Sequence, residues 1–381
     1  MNLDALSKGF KAIFDCEPTG IASSPGRVNL IGEFTDYNDG YVLPCALEFT
    51  TQVAFAQRGD DLIVVHSFQY PNEQDSFNLA DEITQGDSQW GNYIRAVAFV
   101  LKRSGKKLKG MNLLIESNVP QGAGLSSSAA LEVAVGGAFN HVSDLGLSKQ
   151  GLALFGQQAE NDFMDCQCGI MDQLISAKGQ KNNALLIDCE SLETKSVSIP
   201  EDLNLVIINS NYPRKLVDSE YNQRRIDCEQ AAKKLGIKTL RHGTIEMLNV
   251  AKPDLTSNEY KRAHHVISEN SRVIKATEAL KNNDMASLCA LMAASHYSLK
   301  HDFEVTVPAT DGLVEICKGA LQSRGAVRMT GGGFGGAIVC LCRDDDIKLI
   351  KQAVEDNYTQ NFNLEASIFV CKAADGFLIM E

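Results

Sequence analysis

Val119-Pro-Gln-Gly-Ala-Gly-Leu-Ser-Ser-Ser-Ala-Ala-Leu131 lies between a strand-like run, Met111 to Ser117, and a long apolar stretch rich in alanine and glycine. Gly122 and Gly124 give the backbone conformations closed to other residues and let it approach a ligand closely. Ser126, Ser127 and Ser128 stand where a helix begins. A helix start carries unpaired N–H groups and the positive end of the macrodipole, so the stretch reads as a cradle for phosphate. The plainer alternative is a serine cap on a buried helix. Neither common nucleotide loop applies: no Gly-Lys-Ser/Thr follows, and Ser127 stands where the last glycine of G-x-G-x-x-G would fall.

Working outward, the chain has 381 residues, 44% of them hydrophobic and 22% charged, enough for two domains with cores of their own. The formal net charge of −12 argues against a nucleic-acid or anionic-membrane surface, so an anionic ligand must be held by local groups. Eleven cysteines are scattered along it. The close pairs, Cys166/Cys168 and Cys340/Cys342, are not C-x-x-C; spacing of two along a strand puts both thiols on one face, which suits packing better than zinc. Reduced thiols, no signal-like start and no apolar run of ~18 residues lead us to expect a cytoplasmic protein.

Upstream, residues 3–15 have helical apolar spacing, and Ser24 to Pro44 packs Arg27, Glu33, Asp36 and Asp39 between glycines and short apolar runs. Such a turn-rich polar segment suits a polar ligand, or is a solvated loop with an Arg-Glu pair. Strands are expected at 49–57 and 62–67 and a helix at 90–104, with Trp90, the one tryptophan, in partly buried core. Downstream, helices are expected over 129–142 and 148–163, the second carrying Glu160. Cys168-Gly-Ile-Met-Asp-Gln-Leu174 then sets Asp172 among apolar neighbours, as a paired buried carboxylate or a helix cap. Strands at 185–189 and 205–210 flank the turn Pro200-Glu-Asp, where we place the domain boundary; residues 218–323 read as mostly helical. His264/His265 and His296/His301 lack a completing carboxylate at helical spacing and are read as solvated or capping. Val327 to Cys342 encloses five glycines in six residues, more than a hairpin needs, which implies close backbone approach. A helix over 345–358 and a strand over 367–371 close the chain.

Four of these stretches together resemble the GHMP small-molecule kinases. The phosphate cradle is similar to their P-x-G-x-G-L-x-S-S-A loop, Val327 to Cys342 to their C-terminal glycine motif, and Gly26 to Gly40, with Cys168-Gly-Ile-Met-Asp-Gln173, to the galactokinase signatures within that family. The resemblance implies an α+β two-domain fold, residues 1–200 with the sugar signature and phosphate loop and 201–381 with the glycine loop. The active site would lie in the interdomain cleft, and domain closure would exclude water. It implies transfer from ATP to the anomeric hydroxyl of galactose with Mg2+ present. Asp172 would accept the proton and Arg27 neutralise charge. Glu33, Phe34, Asp36, Gly169 and Tyr221 would contact the sugar. The backbone of Gly122, Ala123, Gly124, Leu125, Ser126, Ser127 and Ser128 would cradle the phosphates, with Ser128 and Glu160 on the metal and Trp90 flanking the adenine. Implied partners are galactose and ATP, with no nucleic acid or membrane, and a monomer or weak homo-oligomer. One position departs: the family usually has His where this chain has Phe34, so Phe34→His is expected to lower the galactose KM several-fold. Rival readings are a silent galactose/ATP sensor, though this chain keeps the Ser128-Ala129 pair such yeast proteins lack, and a kinase for a related sugar.

Overall fold

The computed structural model describes residues 3–213 and 217–380. Its first half is built on a six-stranded sheet in the order Leu378–Met380, Gly20–Asn29, Pro44–Gln57, Met111–Ser117, Leu62–Ser67, Gln74–Asn78. Only the Leu62–Ser67/Met111–Ser117 pair is parallel. Side chains alternate along the strands and both faces are covered. Ala22, Val53, Phe55, Leu113 and Ile115 face a core closed by the helices Gly91–Arg103, Ser127–Val142, Lys149–Phe163 and Met171–Lys178, whereas Ile21, Ala54, Ala56 and Leu114 meet Leu6 and Phe10 of the helix Leu3–Phe14. The helix Ser127–Val142 is buried nearly all round, which its small residues permit. A Cβ at Gly137 would fall 2.1 Å from the Phe377 ring.

The second sheet is antiparallel, in the order Ala326–Thr330, Ala337–Arg343, Leu203–Asn209, Ser367–Cys371. One face packs on the helices Pro308–Leu321 and Asp344–Phe362. The other, through Leu205, Ile207, Val339 and Leu341, packs on Val28, Leu30, Ile31, Leu43 and Cys45 of the first half and on Val273 and Ala276 of the helix Ser257–Lys281, so one apolar core runs across the junction of the halves.

The structure departs from the sequence reading in places that bear on the site. Ser24 to Asn29 belongs to a ten-residue strand rather than a loop. Pro25 and Gly26 concealed it, and the register irregularity between Pro25 and Arg27 accommodates them. The last strand pairs Ile21 with Met380, returning the C-terminus to the first sheet across the boundary drawn at 200. Cys340 and Cys342 do share a buried face of one strand, but Cys166 and Cys168 lie in a turn, with Cys168 N donating to Cys166 O at 2.9 Å. All eleven thiols are free. His265 is neither solvated nor a cap but fully buried. Among the described residues no helix is long and apolar enough to cross a membrane, and no group of three or more His, Cys, Asp or Glu could hold a metal.

Candidate active site

The three glycine-bearing segments meet backbone to backbone. A Cβ at Gly26 would lie 2.6 Å from the Leu125 carbonyl, and one at Gly331 would lie 3.1 Å from that of Gly124. Gly122 and Gly124 both have φ of 71°, and Ser126, at φ 57°, is the residue before the helix Ser127–Val142. Ser126 makes no cap hydrogen bond; its hydroxyl donates instead to Asp172 Oδ2. Ala123 and Leu125 turn their side chains into the core, and the Leu125 carbonyl accepts from Arg27 N at 3.0 Å.

Asp172 opens the helix Met171–Lys178 and faces the strand that carries Arg27. Arg27 Nε and Nη2 donate to its two carboxylate oxygens at 2.7 and 2.8 Å, a bidentate fork, while Nη1 donates to the Gly124 carbonyl at 2.6 Å. Burial opposes the charge on Arg27, but Asp172 and Glu33 outweigh it and hold the guanidinium above its ordinary value.

On one side of this pair is a cavity lined by Phe34, Asp36, Glu160, Gly169 and Tyr221 among others; on the other is a cavity walled by Pro120 and Gly122 to Ser128, Ala123 excepted. Arg27, Ser128, Asp172 and Gly332 line both. Asp36 sits so close to the chain at Gly169 that a Cβ there would meet its Oδ2 at 2.2 Å. Burial and the charge of Asp172 push the Asp36 carboxyl up to about 7. Burial likewise raises the Tyr221 phenol well above its usual range. Glu33 is 2% exposed and is tied to the glycine loop: its Oε1 accepts from Gly331 N at 2.9 Å and Thr330 Oγ1 at 3.1 Å, with Arg328 Nη2 also at 3.1 Å.

Of the remaining expected residues, Ser128 and Glu160 face the cavity lined by Asp36 together. Trp90 is half-buried and borders neither cavity described above; its ring stacks on Tyr70 at 5.9 Å and its Nε1 donates to Glu73 at 2.9 Å. Gln121 Nε2 donates to the Tyr70 hydroxyl at 3.2 Å, which joins that stack to the phosphate loop. Sequence reasoning missed Glu132, Gln173, His265 and Arg328. Glu132 and Arg328 were discoverable as lone charges in otherwise apolar runs; His265 carries no such signal. Its Nε2 lies 3.1 Å from the Glu33 carbonyl and its Nδ1 2.9 Å from Ser298 Oγ. Burial lowers it to about 4, so it is neutral at pH 7; the Glu33 carbonyl only accepts and Ser298 Oγ gives its one proton to Asp302 Oδ2 at 2.7 Å, so the ring's single N–H serves one of these two acceptors.

Three family models match the chain: the galactokinase galactose-binding signature over residues 8–57, the GHMP kinases N terminal domain over 92–180 and the GHMP kinases C terminal over 276–360. The fold superposes on mevalonate kinase of Methanococcus jannaschii at 17% identity, with 93% of this chain and 98% of that one covered and a TM-score of 0.64. Phosphomevalonate kinase of Streptococcus pneumoniae matches at 14% identity, with 92% and 99% covered and a TM-score of 0.61. Fold and site thus define a GHMP small-molecule kinase. Galactokinase of Lactococcus lactis, solved with galactose, is 33% identical, with 99% of each chain covered and a TM-score of 0.93. The chain belongs to the galactokinase family.

Proposed function

We propose that the chain transfers the terminal phosphoryl group of ATP to the anomeric hydroxyl of galactose, giving galactose 1-phosphate and ADP. The observation that carries the reading is the wall common to the two cavities, where Arg27 and Asp172 stand between a polar recess and a glycine-rich cradle. Phosphoryl transfer asks a protein mainly for alignment and charge neutralisation. In this reading the sugar lies between Asp36, Glu33 and Tyr221 with its anomeric oxygen at Asp172. As that oxygen bonds to phosphorus and the bond to the ADP oxygen breaks, the hydroxyl proton passes to Asp172. The Arg27 fork and the Ser126 hydroxyl fix the carboxylate's direction, and Arg27 offsets the charge developing on the phosphoryl oxygens. The backbone of Gly122 to Ser128 holds the phosphates, and Trp90 flanks the adenine.

A hydroxyl and a carboxylate facing one cavity suit a hard cation that takes its other ligands from phosphate and water, so Ser128 and Glu160 would hold Mg2+. Bound there, the ion would neutralise part of the charge on the terminal phosphates. A monomer or weak homo-oligomer in the cytoplasm belongs to the same proposal.

The test is a panel of galactose, glucose, N-acetylgalactosamine and 6-deoxygalactose with coupled detection of ADP. Galactose should give the highest kcat/KM; binding without ADP release would mark a sensor, and a higher value with another sugar would move the substrate. Asp172→Asn should keep sugar and nucleotide binding yet lose roughly 10²–10⁴-fold in kcat. Turnover near that of the parent would remove Asp172 from the chemistry.

A further inference from the structure

Beneath the wall common to both cavities lies a carboxyl group to which the reaction just described assigns nothing. Glu132 is 1% exposed, on the helix Ser127–Val142 one turn beyond Ser128. Its Oε2 accepts from Gln173 Nε2 at 3.0 Å, and Gln173, itself 1% exposed, is the residue after Asp172. The Glu160 side chain, reaching in from the helix Lys149–Phe163, is within hydrogen-bond contact of Glu132. Oε1 of Glu132 meets no N–H or O–H donor. The three helices are close-packed here: a Cβ at Gly156 would lie 3.0 Å from Gln173 Cγ and 3.4 Å from Glu132 Cβ.

A buried charged residue in an Ala- and Val-rich helix is costly unless its neighbours need it. Its neighbours are the side chains flanking the reaction centre, one from each of two other helices. We infer that Glu132 is a positioning residue: its buried carboxyl group, held against Glu160 and Gln173, aims Glu160 into the cavity and sets the first turn of the Asp172 helix. One group thereby registers the metal side and the base side of the site against each other. The inference rests on Glu160 being a metal ligand, as proposed above.

Glu132→Met keeps the volume and removes the polar contacts; Glu132→Gln keeps a donor for Glu160 and an acceptor for Gln173; Glu160→Gln is the comparator. Mn2+ binding to protein plus a non-hydrolysable ATP analogue, read by electron paramagnetic resonance, reports the metal side without turnover. Glu132→Met should weaken Mn2+ by about tenfold or more and lower kcat on the same scale, with the galactose Kd within about twofold of the parent. Glu132→Gln should recover most of both losses. Gln173→Leu cuts the other arm and should lower kcat with Mn2+ affinity kept; it also serves if the Met variant does not fold. Parental Mn2+ affinity and kcat in Glu132→Met, or parental kcat in Gln173→Leu, overturns the inference. Unchanged Mn2+ binding in Glu160→Gln overturns the metal reading of Glu160 instead.

Discussion

Phe34 holds the left-handed conformation, φ 65°, that a bulky residue adopts only at a cost. The surroundings impose it: Asn38 Nδ2 donates to the Phe34 carbonyl at 2.9 Å, and His265 holds the carbonyl of Glu33 before it. Its ring is stacked on Phe303 with centroids 4.5 Å apart, at the end of the π-helical turn Leu299–Phe303, and the residue is 4% exposed. Little of it is left for the cavity it helps to line beside Asp36. That shrinks the several-fold effect expected from the sequence. Phe34→His should change the galactose KM by less than about threefold and lower stability by roughly 1–3 kcal/mol, because its ring nitrogens enter an apolar cluster. A tenfold fall in galactose KM with unchanged melting temperature would make the position a true sugar contact. Asp36 allows a test with a definite sign. Its folded-state value of about 7 lies above the ordinary 3.8, so between those values the folded protein holds a proton the unfolded chain has lost. Stability from this group is fully present at low pH and falls as pH rises through about 4 to 7, at no more than about 1.4 kcal/mol per pH unit. Asp36→Asn should therefore melt higher than the parent at pH 7.5 and level with it at pH 4, while galactose binding weakens. Equal melting temperatures at both pH values would show that Asp36 is not so perturbed.

At the scale of elements, periodicity located what a single apolar face or an unbroken run defines. Leu62–Ser67, Met111–Ser117 and Ser367–Cys371 were legible to the residue, and the helix Lys149–Phe163 to within one. The strand Gly20–Asn29 was not, since Pro25 and Gly26 break any strand pattern and only the neighbouring strand and phosphate loop make them acceptable. The short strands Gln74–Asn78 and Thr194–Ser198 carry too few apolar residues to register. The turn from Asp165 into the helix Met171–Lys178 shows how an element's entry sets the site. The Asp36 carboxyl occupies the place a Cβ on Gly169 would take, so Gly169→Ala should leave a folded protein that has lost about tenfold or more in galactose affinity, with the ATP KM unchanged. Galactose binding at the parental level in that variant would mean the turn yields without cost.

For the whole molecule, the decisive feature is the core common to both sheets, in which Val28, Leu30 and Leu43 meet Leu205, Ile207 and Val339. Halves joined by a large apolar interface do not unfold separately. Calorimetry should show one transition with van't Hoff and calorimetric enthalpies agreeing, raised as a unit by galactose; two transitions of which galactose moves one would overturn this. The buried Glu33–Arg328 contact crosses the same junction, tying the sugar signature to the glycine loop. What the amino-acid sequence determined by itself was local: the glycine loops, the polar density around Arg27 and Asp36, the paired or capping state open to Asp172, and from their order the family. Those signals depend on backbone conformations and side-chain types within a few neighbouring residues. Tertiary structure alone decided that Ser126 serves Asp172 rather than its own helix, that His265 is buried and holds the sugar loop, that Phe34 is mostly packing, and that Glu132 underlies two helices at once. Each of these is a contact between residues far apart along the chain, such as the 41 positions from Glu132 to Gln173 and the 232 from Glu33 to His265, or a burial created by such contacts, and no spacing along one chain encodes which distant group will arrive.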